Sequence, residues 1–150
     1  AGGAGGGAAT NGGGAGGGAA GGAAAAEEAA REAAKPKLVA WFGSQTGTAE
    51  GFAKTLAQES RAHGFSPKVE DLEDFDAEDF VAAVGEDADT DGPPTVHLFC
   101  MATYGEGEPT DNAQAFTEWL EASTTSGDVK LPNLRFSVFG LGNRQYEHYN

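Results

Sequence analysis

The sequence predicts an open, doubly wound α/β fold: a parallel sheet with helices on both faces. Three observations point there. From Lys37 onward, short continuous apolar runs alternate with amphipathic helical stretches; such runs suit strands covered on both sides. The order strand, helix, strand, helix, strand, helix, strand calls for crossover connections and hence parallel pairing. The three strongest strands are each followed by a loop rich in glycine, hydroxyl or aromatic residues.

Residues 1–36 read as a separate segment. Up to residue 22 it is nearly all Gly and Ala, a flexible leader with no large apolar side chain to bury. Ala23–Lys35 is built from strong helix formers, with Glu27 four residues before Arg31 and Pro36 as the stop. Residues 37–150 are read as one domain.

Leu38-Val39-Ala40-Trp41-Phe42 is the first strand. Thr48–His63 follows as a helix, with Ala49, Phe52, Ala53 and Leu56 as its apolar stripe, Glu50 paired with Lys54, and Gly64 as the stop. Lys68–Leu72 is a weaker strand placed near an edge. Asp76–Val84 is a short helix with Phe80, Val81 and Val84 inward, and Gly85–Pro94 an acidic loop. Thr95–Met101 is the strongest strand. Thr110–Glu121 is a helix with Thr110 as N-cap, Ala113, Phe116 and Leu120 buried, and Trp119 at the stripe's edge. Ser123–Asn133 is a polar connection, and Phe136–Phe139 the fourth strand. With no helix after it, that strand is left bare, so four strands of an expected five are present and the domain is read as C-terminally truncated.

The formal net charge is −14. Glu27, Glu28 and Glu32 against Arg31 and Lys35 leave −1 before Pro36, so −13 falls on the folded part. Such a surface repels nucleic-acid backbones and attracts basic protein surfaces, although solubility alone also accounts for it. The single cysteine, Cys100, excludes an internal disulfide and sits in an apolar run as a small buried hydrophobe. No apolar stretch approaches the ~20 residues of a membrane span.

Ligands of an open parallel sheet sit beyond the carboxyl ends of its strands. The first loop there is Gly43-Ser44-Gln45-Thr46-Gly47-Thr48-Ala49. It offers hydroxyls, close backbone approach and the positive end of a helix, but no lysine, which suits a monophosphate better than a triphosphate. An ordinary capped helix start has the same ingredients. The second loop, Ala102-Thr103-Tyr104-Gly105-Glu106-Gly107-Glu108-Pro109, sets an aromatic ring beside glycines. That suits stacking on a planar ring, and equally a turn with a surface tyrosine. The third, running from Gly140 to Asn150, offers Tyr146 as a second platform. His148 there has no partner at metal-ligand spacing.

The strings FGSQTGTAEGFAKTLAQES, FCMATYGEGEPTDNAQAF and FSVFGLGNRQYEHYN resemble the FMN domains of the NADPH–cytochrome P-450 reductase family, from about Leu38 to Asn150. The ATYGEG…PTDNAQ and GLGN…YEHYN parts are closer to it than to nitric oxide synthase, sulfite reductase or bacterial flavodoxin. The resemblance implies a flavodoxin-like fold. It implies that Ser44, Gln45, Thr46, Gly47, Thr48 and Ala49 bind the FMN phosphate. Ala102, Thr103, Tyr104 and Gly105 would line the flavin ring, Tyr104 stacked on it and the Gly105 carbonyl accepting from the flavin N5 after one-electron reduction. Leu141, Gly142, Asn143, Arg144, Gln145, Tyr146, Glu147, His148, Tyr149 and Asn150 would close the other side. The family takes electrons from NADPH through FAD to FMN and passes them singly to cytochrome P-450, cytochrome c and other haem proteins. It works on the cytoplasmic face of the endoplasmic reticulum membrane, held by an N-terminal anchor; here a Gly/Ala leader stands in that place. The FAD and NADPH modules are not in this sequence. Glu106, Glu108 and Asp111 form an acidic rim fit for a basic haem-protein face, or simply a solvated loop. Two other readings are a free-standing flavodoxin-like carrier and a receiver-type signalling module. The second is disfavoured by Cys100-Met101-Ala102, where a receiver needs an Asp.

Overall fold

The computed structural model describes residues 2–3, 18–88, 91–143 and 145. Two compact units divide the chain, Ala1–Glu32 and Ala33–Asn150. Helix α1 (Gly18–Ala33) is an exposed Ala-rich helix with Arg31 bonded to Glu27 at 3.5 Å. It begins five residues before the expected start. Each helical glycine costs about 1 kcal/mol relative to alanine, which an alanine-dense run tolerates.

The second unit carries the sheet. Its elements are β1 (Lys37–Gly43), α2 (Thr48–Ala62), β2 (Ser66–Asp71), α3 (Ala77–Ala88), β3 (Val96–Tyr104), β4 (Glu108–Pro109), α4 (Gln114–Ser126) and β5 (Arg135–Leu141). Single 3-10 turns at Leu72–Asp74 and Asp111–Ala113 precede α3 and α4. Four strands pair in parallel in the order β2-β1-β3-β5. The short β4 adds to β3 antiparallel. The chain moves outward from β1 to β2, then crosses back to β3, so strand order reverses between β1 and β3. In open sheets of this kind, ligands bind where the loops leaving two such strands part.

Alternation along the central strands builds two cores. On one face Ala40 and Cys100 meet Ala49, Ala53 and Ala57 of α2. On the other, Phe99 packs with Phe80, Val84, Phe116 and Leu72, with Trp41, Phe75 and Trp119 against them. This second face is a web of rings: Phe75 meets Phe116 at 4.9 Å and Trp119 at 5.2 Å, and Phe99 stacks on Phe116 at 5.2 Å. Truncating one such buried ring to alanine costs about 3–5 kcal/mol. Burial also pushes the Cys100 thiol up from its ordinary value, consistent with an inert packing residue.

Several expectations are corrected. The buried stripe of α2 is Ala49, Ala53, Ala57 and Ser60, while Phe52 is 44% exposed. Small side chains let the helix lie close on the sheet, and Phe52 projects beside it to lean on Phe139, ring centroids 5.2 Å apart. On α4, Trp119 enters the ring cluster and Leu120 is exposed. Helix α3 runs through Gly85 to Ala88, where a loop was expected. Strand β3 continues three residues past Met101, and α4 extends to Ser126 before Gly127 closes it in the left-handed conformation. Gly64 behaves as read: with φ 86° it follows α2, its N–H donating to Arg61 O and that of Phe65 to Ser60 O, the two bonds of a Schellman cap.

Edge position is also as read for β2, which pairs only with β1 among the described residues. Among the described residues, strand β5 pairs only with β3. It is exposed along most of its length, Phe136 at 61% and Val138 at 58%.

Candidate functional site

Three strands deliver their loops to one rim. Gly43 at the end of β1 lies opposite Met101 of β3, and Ala102 lies opposite Leu141, the last residue of β5.

The first loop is shaped by a close approach and a left-handed turn. A Cβ on Gly43 would stand 2.9 Å from Ala113 Cβ and 3.0 Å from Thr110 Oγ1. Gly47 takes φ 86° as the residue before α2. Between them, Ser44 Oγ accepts from the N–H groups of Gly47 at 3.0 Å and Ala49 at 3.2 Å. The Thr46 and Thr48 hydroxyls lie 3.4 Å apart and exposed. Among the described residues, no partner is found for the N–H groups of Thr46, Thr48 and Glu50. Together with the positive end of α2 they form a cradle of hydroxyls and amides able to receive an anion. The cation nearest in sequence, Lys54, is engaged with Glu50.

The second loop is a hairpin, which corrects the expectation of a loop beginning at Ala102. Thr103 pairs with Pro109 and Tyr104 with Glu108. Gly105 and Gly107 take φ 57° and 105°, and Gly107 N–H donates to Tyr104 O at 3.0 Å. The Glu108 carboxylate caps the turn, accepting from Glu106 N–H at 2.6 Å. It also crowds Gly105, where an added Cβ would clash with Glu108 Oε2. The Tyr104 ring is 44% exposed. Its hydroxyl donates to Asp111 Oδ1 at 3.4 Å. The Asp111 charge, then desolvation, the bond to Asp111 and the charge of Glu108, hold that hydroxyl above its ordinary value. It stays a neutral donor at physiological pH.

Asp111 joins the two loops. Gln45 Nε2–H donates to Asp111 Oδ2 at 2.8 Å, and Asp111 N–H returns a bond to Gln45 Oε1 at 3.2 Å. One carboxylate thus bridges the cradle and the exposed ring. Sequence reading gave Asp111 only a charge, and did not single out Asn112, three of whose partners lie 41 to 70 residues away. The run of turn-forming residues Thr110-Asp111-Asn112 between β4 and α4 was the available signal.

Of the third loop, Leu141, Gly142, Asn143 and Gln145 are described. Asn143 Oδ1 accepts from Gln145 N–H at 3.0 Å. Arg144, Tyr146, Glu147, His148, Tyr149 and Asn150 lie outside the described residues. No cluster of three or more His, Cys, Asp or Glu suited to a metal occurs among the described residues. No described helix is long and apolar enough to cross a membrane.

A separate groove of about 520 Å³ lies on the α3 face, lined by Val39, Trp41, Phe80 and His97 with charged residues at its margin. Buried His97 accepts from Trp41 Nε1–H at 3.1 Å through Nδ1. Desolvation holds its pKa below 6.5, with Asp87 opposing.

Residues 41–150 match the family model described as Flavodoxin. The chain is 46% identical over 119 residues to NADPH–cytochrome P450 reductase of Musca domestica, covering 79% of this chain and 16% of that protein. It is 47% identical over 119 residues to the Drosophila melanogaster reductase, with the same coverage. Against the Rattus norvegicus reductase it is 43% identical over 113 residues, or 75% of this chain and 15% of that protein. This sequence therefore spans about one sixth of their length. Among solved structures, a cysteine-to-alanine mutant of flavodoxin from Pseudomonas aeruginosa superposes with a TM-score of 0.54 at 24% identity. That match covers 75% of this chain and 65% of the flavodoxin, and it establishes the fold.

Proposed function

The chain belongs to the flavodoxin family, and on that footing we propose that it is the FMN-binding, electron-transferring domain of a diflavin reductase. The observation that carries this is the Asp111 bridge. It holds a cradle of hydroxyls and amides and an exposed tyrosine ring at one sheet rim, as a singly phosphorylated flat cofactor requires.

The residues present fit FMN. Ser44, Thr46 and Thr48 hydroxyls and the amides of Thr46, Thr48 and Glu50 would hold the phosphate. Gln45, Gly47 and Ala49 shape that cradle. A dianion is favoured there by the dipole of α2. Ala102 and Thr103 bring Tyr104 to the rim, and its ring would cover one face of the flavin. Leu141 ends β5 and, with Gly142 and Asn143 after it at the same rim, would contact the ring's other side; for Tyr146 the resemblance implies the role of second stacking ring, and for Arg144, Gln145, Glu147, His148, Tyr149 and Asn150 that of further contacts. When bound, FMN supplies one-electron redox chemistry, and the protein contributes binding, orientation and electrostatics. Gly105, already at φ 57°, is free of the steric barrier to peptide reorientation and can turn its carbonyl toward the ring edge. The acidic groups Glu106, Glu108 and Asp111 oppose added negative charge at that edge and lower its reduction potential.

In the whole protein, electrons run from NADPH through FAD to this domain and leave singly for cytochrome P-450, cytochrome c or another haem protein. The identity to reductases supports that direction. The net charge of −14 supports encounter with a basic haem-protein face. The working place is the cytoplasmic face of the endoplasmic reticulum membrane.

The test is titration of FMN into the purified protein, followed by anaerobic reduction and mixing with oxidised cytochrome c. Saturable quenching of flavin fluorescence is expected, with haem reduction that slows as salt is raised. Flavin emission unchanged by the protein would remove the reading.

A further inference from the structure

We propose that Asn112 is the positioning residue of the anion cradle, and that preference for a phosphorylated over an unphosphorylated flavin depends on it. The proposal deepens the FMN reading and rests on it.

Asn112 lies between three segments that meet at the rim. Its Oδ1 accepts from Ser44 N–H at 2.9 Å and from the Thr110 hydroxyl at 2.8 Å. Its Nδ2 donates to Phe42 O at 3.2 Å and to Asp71 Oδ1 at 2.7 Å. A carboxamide offers two donors and two acceptor sites, and all four are used. The orientation is dictated by the partners: a backbone N–H can only donate, and a backbone carbonyl can only accept. No other residue type of this size meets both. An aspartate would set a carboxylate against the Phe42 carbonyl and Asp71, and alanine would leave four groups to find other partners.

The two backbone bonds fall on either side of Gly43, where β1 becomes the loop. They fix the direction in which Ser44 leaves the strand. Ser44 Oγ then gathers the Gly47 and Ala49 amides, so the shape of the cradle descends from Asn112 through Ser44. Asp71 ties the same carboxamide to the end of β2, and Asp71 is held in turn by accepting from Glu73 N–H at 3.0 Å. Thr110 is fully buried and Asn112 half-buried, so these bonds are partly shielded from competing water. The hairpin is tied separately, through Asp111 to Gln45 and Tyr104. Loss of the Asn112 carboxamide therefore acts on the phosphate end of the ligand and spares the ring.

The experiment compares FMN with riboflavin, which lacks the phosphate, on the wild type and on Asn112→Ala, by fluorescence titration. The wild type is expected to prefer FMN. In Asn112→Ala, FMN affinity should fall about tenfold or more, the scale of losing bonds to partly shielded partners. Riboflavin affinity should stay within about twofold, a change too small to be a lost hydrogen bond. Should that variant fail to fold by circular dichroism, Asn112→Ser, which keeps a short polar group, gives the same comparison. A ratio of the two affinities equal to that of the wild type, whether both fall or neither does, overturns the proposal and leaves the FMN reading standing. A wild type that binds neither flavin overturns both.

Discussion

The two described loops of the site are built on opposite plans. The first is locked: Ser44 and Gln45 are bonded to Asn112 and Asp111, Gly43 is pressed against Ala113 and Thr110, and α2 starts at once. The second is a two-pair hairpin with left-handed glycines at Gly105 and Gly107 and an exposed ring at Tyr104. A phosphate keeps its charge and shape whatever the redox state of the molecule that carries it, so a rigid cradle suits it. A redox ring changes its protonation at one edge, so an adjustable peptide suits it. On the proposed reading, the difference suits the first loop to the phosphate and the second to the ring.

The largest expected effect breaks the locked loop. Gly43→Val places new atoms where a Cβ already meets Ala113 and Thr110, and overpacking of this kind costs about 3 kcal/mol of stability. Chemical denaturation measures it, and FMN affinity should fall with it. Next comes Tyr104→Ala, which tests the adjustable side. The ring is exposed, so the midpoint of unfolding should hardly move, while FMN binding weakens by about 2 kcal/mol, or about thirtyfold, by analogy with base–aromatic stacking. An equal loss of stability would mean that the ring is structural. Gly47→Ala should be milder. The space beside it is open, with Glu50 Oε2 3.9 Å from an added Cβ, so only the left-handed backbone opposes it, at about 1–2 kcal/mol. The loss should appear in both stability and FMN affinity, since Gly47 shapes the cradle.

The smallest effect is a pH dependence away from both loops. His97 has its folded pKa held below the ordinary 6.5 by burial, Asp87 opposing. The unfolded chain therefore binds this proton at higher pH than the native protein does. Above 6.5 the group is neutral in both states and contributes no slope. As pH falls through 6.5 toward the folded value stability is lost, and below that value the loss levels off. His97→Gln keeps an acceptor for Trp41 and should flatten the part of the urea midpoint's change between about pH 7.5 and 5.5 that comes from this group. Because His97 lines the groove on the α3 face, FMN affinity should be unaffected by the substitution.

Much of this architecture is legible in the residues themselves. The run Leu38–Phe42 and the apolar core of β3 gave the central strands, because a strand covered on both faces has no polar side to hide it. Gly64 marked the end of α2 through a conformation that other residues adopt at a cost. Faces were harder to read. Phe52 and Leu120 sit at helical spacing, yet both are exposed while Ala57 is buried and Trp119 half-buried in the ring cluster, because the neighbouring sheet and rings decide which part of a stripe is covered. The hairpin at Thr103–Pro109 is too short for its alternation to register. The site was half legible. Hydroxyls and glycines after a strand marked the loop whose amides are left open at the start of α2, and a tyrosine between a strand and a glycine marked the exposed ring of Tyr104. Asn112 was invisible, because its role exists only once Phe42, Ser44 and Asp71 are brought to it from 41 to 70 residues away.

The central claim is that both loops at this rim close on one cofactor, and amide chemical-shift mapping tests it most directly. On adding FMN to the isotope-labelled protein, the account predicts shifts concentrated at Ser44–Glu50, Tyr104–Gly107 and Asp111–Asn112, with those of Val39, Phe80 and Ala83 around the α3-face groove left in place. Shifts centred on that groove, or confined to only one of the two loops, would contradict it.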